Sequence, residues 1–193
     1  PIILGHVLLG APAAWAFARF DFRGKKVFYT LYIVLMLMPF QVTMVSSYLV
    51  LNKLGLIDTA WAIILPGAAS TLPIFIMTRF FMTIPGAVTE AASVDGASPI
   101  QTFLRLGIPL GAPGILSAVV LGFLEYWNAM EAPQAFLKDQ TLWPLSLYMA
   151  NITADNAGVS LIASLITLMP PLLIFMFGQK YLEQGIISSG MKD

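Results

Sequence analysis

Charged side chains are absent from five long stretches of the chain, residues 1–18, 27–52, 59–78, 106–124 and 156–179. A helix crossing the hydrocarbon of a bilayer needs roughly 20 mostly apolar residues. Each stretch therefore predicts a membrane span, and the pattern as a whole predicts an all-α membrane protein with five transmembrane helices forming a single domain over residues 1–193. The next longest uncharged gap, 140–154, contains Thr141, Pro144, Ser146 and Asn151 and predicts a loop with an amphipathic turn or short helix. Prolines interrupt the spans: Pro39 in the second, Pro66 and Pro73 in the third, Pro109 and Pro113 in the fourth, Pro170 and Pro171 in the fifth. Inside a soluble helix each would cost about 3 kcal/mol, but neighbouring helices and Ser/Thr side chains re-satisfy the freed carbonyls in membrane proteins. Kinked helices around a cavity are expected, although any one of these prolines could equally serve packing alone.

Composition agrees with this pattern. The chain is 58% hydrophobic and 10% charged, against about 25% charged in ordinary soluble domains, which also excludes disorder. The formal net charge is zero, so nucleic acid would find no basic footprint. With no cysteine, disulfides, thiolate metal sites and cysteine nucleophiles are excluded.

The position of the basic residues gives an orientation. Arg19, Arg23, Lys25, Lys26, Arg79, Arg105, Lys180 and Lys192 fall on one side of the predicted spans, and only Lys53 and Lys138 on the other. Positively charged loops remain in the cytoplasm, so the first residue is expected outside and Asp193 inside. A secretory signal carries its positive charges before the apolar run, whereas here they follow it. A preceding helix that starts in the cytoplasm is expected instead.

The most specific segment lies between the third and fourth spans, at about residues 83–106. Pro85 suits the first turn of a helix reaching to about Val94, and Gly96 suits the left-handed residue that ends one. Ser98, Pro99 and Gln101 form a capping-box signature that starts a second helix. Ala87, Val88, Ala91 and Ala92 give the first helix a small apolar surface, with Glu90 and Asp95 as charged handles.

These residues carry a resemblance. Glu90-Ala91-Ala92, then Gly96, then Leu106-Gly107-Ile108-Pro109 resembles the EAA motif of the inner-membrane permease subunits of binding-protein-dependent ABC importers. Asp95-Gly96-Ala97, Phe103 and Pro109-Leu110 with Pro113 resemble the carbohydrate-importer branch, similar to maltose and glycerol-phosphate permeases. Leu106 and Ile108 depart conservatively from the short consensus. Residues 16–26, 38–58, the Trp127-Asn128 pair and 178–192 are also similar to the family's pattern, so the five spans would correspond to helices two to six of a six-helix permease.

The resemblance implies a cytoplasmic two-helix coupling loop that sits in a cleft of a separate ATP-binding subunit. Glu90, Ala91, Ala92, Asp95, Gly96, Ala97 and Pro109 are the coupling residues it implies, with Glu90 meeting a basic group and the small residues allowing close backbone approach. It implies a bacterial plasma-membrane importer with two ATP-binding subunits, a second permease subunit and an extracytoplasmic solute-binding protein. ATP is used by the partner, and no cofactor is bound by this chain. The outer loop, 129–155, with Glu131, Lys138, Asp139 and Asp155, would touch the binding protein or act as a mere connector.

Polar residues at membrane depth are costly and usually face a bundle interior or a pathway. Gln41 and Ser46 after Pro39, and Glu125, Trp127 and Asn128 at the outer end of the fourth span, are the candidate pathway residues. Trp and Asn suit sugars, yet Trp also belongs to interfacial belts and polar side chains also tie helices together, so both readings stay open. His6, alone among apolar residues near the outer end, is expected to be an interfacial bystander. A secondary transporter would carry ionisable groups within its spans, and only His6 meets that description. An enzyme would need a convergent catalytic group, but the acidic residues are scattered, and no Walker A sequence makes this chain an ATPase. A permease for a polyamine, peptide or glycerol-phosphate is the nearest rival to a sugar permease.

Overall fold

Prolines mark several of the places where the helices of this chain stop, bend or widen. A computed structural model describes residues 1–150 and 157–190, which form helices and no strands. Asn151, Asp155, Asn156, Lys192 and Asp193 lie outside the described residues, so the start of the fifth span and the final Lys are not placed.

Helix α1, Ile2–Arg19, contains a wider π-turn at His6–Gly10, two residues ahead of Pro12. The same offset recurs between the π-turn Phe103–Gly107 and Pro109, where the Ile108 N–H reaches back to the Phe103 carbonyl. A proline ring presses on the carbonyl four residues before it, and the wider turn makes room for it without ending the helix.

Pro39 has the stronger effect. Helices α2, Lys25–Leu37, and α3, Phe40–Lys53, meet at 107°. Met38 is extended at ψ 125° and Pro39 at ψ 148°, as expected for the residue before a proline and for a proline opening a helix. The expected second span is thus a sharply broken pair. Among the described residues there are four helices long and apolar enough to cross a membrane, or five if this pair is one span.

The third span runs Trp61–Thr83 as α4, Trp61–Ala68, and α5, Thr71–Thr83, with a break at Ala69 and Ser70. A short helix, α6, Gly86–Val94, follows. The second helix of the connecting segment continues without interruption into the fourth span, giving α7, Pro99–Trp127. Nothing in the sequence stops a helix between Thr102 and Ile108, and the π-turn absorbs Pro109. Short helices α8, Glu131–Phe136, and α9, Leu145–Ala150, flank a 3-10 turn at Gln140–Leu142; the turn and α9 fall in the stretch 140–154 expected to hold a turn or short helix, of which 151–154 lie outside the described residues. The last helix, α10, is Ala157–Gly190.

The core is built where α1, α5 and α7 cross. Ala11, Ala14, Trp15, Ile74, Met77, Phe81, Ile115 and Ala118 are buried there together. Close approach of α5 and α7 depends on absent side chains: a Cβ on Gly111 would fall on the Phe81 ring, and one on Gly114 would fall on Phe80. Small residues at such crossings are how membrane helices gain contact, since lipid provides no hydrophobic drive between them. By contrast α2 buries no residue and α3 buries only Leu51, leaving long apolar faces that suit lipid or another helix.

His6 departs from expectation. It is only 1% exposed, its Nε2 lies 2.8 Å from the Gly67 carbonyl, and its ring packs against Tyr126. It ties α1 to the end of α4 rather than standing at the interface. The missing signal was its partner, a backbone carbonyl sixty-one residues away.

Gly114→Val should lower stability by about 2 kcal/mol, the usual order for overpacking a closed site, as read by thermal unfolding in detergent. An unchanged midpoint would mean that the α5–α7 crossing is looser than described.

Candidate coupling surface and outer cleft

The segment between α5 and α7 is fixed by backbone chemistry at every corner. Ile84 and Pro85 are extended, at ψ 128° and 139°. At the other end of α6, Gly96 takes φ 79°, the Gly96 N–H bonds to the Ser93 carbonyl and the Ala97 N–H to the Ala92 carbonyl at 2.9 Å. This pair of bonds is the Schellman termination that a left-handed glycine permits. The capping box is then completed, with Ser98 Oγ accepting from the Gln101 N–H at 3.3 Å and Gln101 Oε1 from the Ser98 N–H at 2.9 Å.

The candidate coupling residues are divided by this geometry. Glu90, Ala91, Asp95 and Gly96 are exposed, while Ala92 and Ala97 are half-buried. Val88 packs on the membrane core, so the inward face of α6 is Val88 and Ala92 and the open face is Glu90 and Ala91. The apolar surface expected from Ala87, Val88, Ala91 and Ala92 is therefore split between two faces. Val94 at 88% and Ile100 at 70% exposed add apolar area at the same end. Pro109 is set apart from these residues, within α7.

Two residues the motif reading did not single out hold this segment. Arg19, at the end of α1, donates through Nη2 to the Phe81 carbonyl at 2.7 Å and to the Ile84 carbonyl. Its guanidinium lies 5.5 Å from the centre of the Trp15 ring. Trp15 in turn meets Phe81 edge-on at 5.2 Å and Phe103 at 5.8 Å. In the sequence Arg19 was one basic residue among several, and nothing marked its partners.

At the opposite end, Gln41 Nε2 donates to Glu131 Oε1 at 2.7 Å. These two residues, with Phe40, Met44, Gln134 and Ala135, line a cleft of about 300 Å³. Of the five candidate pathway residues only Gln41 lies on this cleft. Ser46 and Glu125 are exposed elsewhere. Trp127 donates through Nε1 to the Thr167 carbonyl at 3.2 Å and stacks on Phe123, and Asn128 Nδ2 caps its own helix at the Leu124 carbonyl, 2.8 Å away. Their polar groups are engaged in the fold.

The outer loop is clasped to this end. Asp58, in a left-handed conformation at φ 62°, accepts the Lys138 and Asp139 N–H groups on Oδ1, each at 2.8 Å. Its own N–H bonds to the Phe136 carbonyl at 2.9 Å. The Thr141 backbone N–H, with the Thr141 hydroxyl second, holds the Asp139 carboxyl below its usual range. Among the described residues, no group of three or more His, Asp or Glu is placed to hold a metal ion.

Comparison with known proteins bears on both ends. Residues 6–188 match the family model described as "Binding-protein-dependent transport system inner membrane component". The arabinooligosaccharides transport system permease protein AraQ of Halalkalibacterium halodurans is 26% identical, over 99% of this chain and 70% of that protein. The sn-glycerol-3-phosphate transport system permease protein UgpE of Pectobacterium atrosepticum is 27% identical, over 97% of this chain and 69% of that protein. A solved bacterial ABC transporter involved in the import of the acidic polysaccharide alginate has the same fold, with a TM-score of 0.78 at 24% identity over 92% of this chain and 69% of that one.

Ser98→Ala should remove about 1 kcal/mol from the start of α7. Hydrogen exchange at the Gln101 amide should then quicken about fivefold, since 1.4 kcal/mol is a factor of ten; unchanged exchange would show that the cap carries no load.

Proposed function

The chain belongs to the binding-protein-dependent transport system inner membrane components, multi-pass permease subunits of ABC importers that are not themselves catalytic, and from that premise we propose that it moves a sugar or oligosaccharide into the cytoplasm. One observation carries the coupling half of this reading. A short helix with exposed Glu90 and Ala91 stands at one end of the bundle, beside exposed apolar Val94 and Ile100, on a segment rigidly capped at both ends. A carboxylate ringed by small and apolar residues suits a closely fitting protein groove with one basic group. The segment 83–106 is therefore the docking element for an ATP-binding subunit, with Glu90, Ala91, Asp95 and Gly96 in contact and Ala92 and Ala97 setting how near the backbones come. Pro109 acts further off, within the membrane helix.

The remaining partners follow from the same reading. Two ATP-binding subunits and a second permease, a different chain paired with this one, complete the membrane complex, with the exposed faces of α2, α3 and α10 turned to lipid or to that second permease. An extracytoplasmic solute-binding protein meets the loop clasped by Asp58.

Chemistry at the outer end favours a sugar over glycerol phosphate. Asp58, Glu125, Glu131 and Asp139 stand there against Lys53 and Lys138, and the cleft beside Gln41 has a carboxylate and amides on its wall but no cation. Amide and carboxylate groups pair with hydroxyls, whereas a phosphate dianion would meet repulsion. The similarity to UgpE is what keeps glycerol phosphate as the second reading.

Reconstituted with its partners, the importer should take up a neutral oligosaccharide and leave glycerol 3-phosphate outside; the reverse preference would overturn the sugar assignment. Glu90→Arg should release the ATP-binding subunit, because breaking a buried interfacial charge pair costs roughly 2–5 kcal/mol. Wild-type co-purification of that subunit with the variant would defeat the docking assignment.

A further inference from the structure

A segment that receives force must be fastened to what it moves. The last turn of α1 is fastened to both roots of the coupling segment. On the near side, Arg19 Nη2 holds the Phe81 and Ile84 carbonyls. Phe81 is the residue whose carbonyl Pro85 would have served in a continuing helix, and proline has no N–H to offer. On the far side, Trp15 packs on Phe103 in the first turns of α7. Between the roots, Val88 of α6 rests on the same cluster.

The fastening is not a saturated one. Arg19 Nε is buried and has no hydrogen-bond partner, beside a cleft of about 190 Å³ bounded by Arg19, Trp15 and the residues Thr89, Ser93 and Ala97. A guanidinium presents its donors in a fixed plane. The carbonyls it holds, Phe81 and Ile84, lie just before Pro85 at the start of the α6 segment, so a shift of α6 that draws Ile84 with it pulls on the helix bearing the guanidinium.

We infer that Arg19 is a positioning residue that transmits movement of the α6 segment to the first membrane helix, by holding the Phe81 and Ile84 carbonyls with its guanidinium while stacked on Trp15. The inference rests on the reading of α6 as the docking element for an ATP-binding subunit. Arg19 itself makes no contact with that subunit or with the solute. Its loss breaks the link between ATP hydrolysis and movement, not the assembly of the complex.

The test uses the complete importer in proteoliposomes, with solute transported per ATP hydrolysed as the readout. Arg19→Met keeps much of the apolar stem and removes every donor; Arg19→Lys keeps the charge and a single compact donor group. Arg19→Met should co-purify with the ATP-binding subunit as the wild type does, yet move about tenfold less solute per ATP, a tenfold change corresponding to about 1.4 kcal/mol. Arg19→Lys should fall between the two. A purely structural cap would lower the amount of assembled complex and leave the ratio unchanged in what assembles. A wild-type ratio in assembled Arg19→Met, or loss of the ATP-binding subunit from Arg19→Lys, would overturn the inference. If Arg19→Met yields no complex, Arg19→Lys decides: a lowered ratio supports transmission and a wild-type ratio overturns it. Failure of the underlying docking assignment would be seen separately, as normal co-purification of Glu90→Arg.

Discussion

A backbone carbonyl stranded in hydrocarbon has no water to bind, and each one left so costs several kcal/mol. This constraint weighs heavily on a chain with 13 prolines, since a proline inside a helix withholds an N–H from the carbonyl four residues earlier. The structure answers it with donors brought from other helices. Arg19 serves the Phe81 carbonyl that Pro85 cannot, and Trp127 serves the Thr167 carbonyl that Pro171 cannot. His6 reaches the Gly67 carbonyl at the break between α4 and α5, and Ser117 Oγ reaches the Tyr181 carbonyl at 2.7 Å. Where no donor is at hand, the helix widens before Pro12 and Pro109 or breaks outright at Pro39. Two of these ties, to Phe81 and Thr167, fall where a proline withholds an N–H; those to Gly67 and Tyr181 bind the bundle elsewhere.

The same constraint explains which parts of the molecule were legible in the sequence. Local features could be read directly: the uncharged spans, the left-handed turn at Gly96 and the Ser98 capping box all depend on residues within a few positions of one another. The long-range ties could not. Trp127 reads as a sugar platform or an interfacial belt residue, and the structure gives its N–H to a carbonyl forty residues away. His6 reads as a bystander for the same reason. The continuous helix Pro99–Trp127 was hidden because a π-turn, not a sequence pattern, carries it past Pro109. Of the candidate sites, the segment proposed for docking carries a motif that the sequence shows directly, but the split of its small residues between an inner and an outer face required the position of Val88 against the core.

Function follows from what is rigid and what is exposed. In the proposed reading this permease receives work at one end and meets its solute at the other. At the first end, a capped helix stands on roots held by Trp15 and Arg19. At the second, Asp58 clasps the outer loop and Gln41 meets Glu131, so this loop and α3 form one unit beside an open cleft. Three helices between them, α1, α5 and α7, share a close-packed core in which glycines admit phenylalanine rings. Such an interior shifts as a block more readily than it deforms, which suits a permease rocked by a partner.

The most direct measurement of this account places a photo-crosslinking amino acid at Val94, the most exposed apolar position of the coupling segment, in the assembled importer. Irradiation should join this chain to the ATP-binding subunit. Crosslinks to the solute-binding protein or to lipid alone would place α6 on the wrong side or against the wrong partner, and would contradict the account.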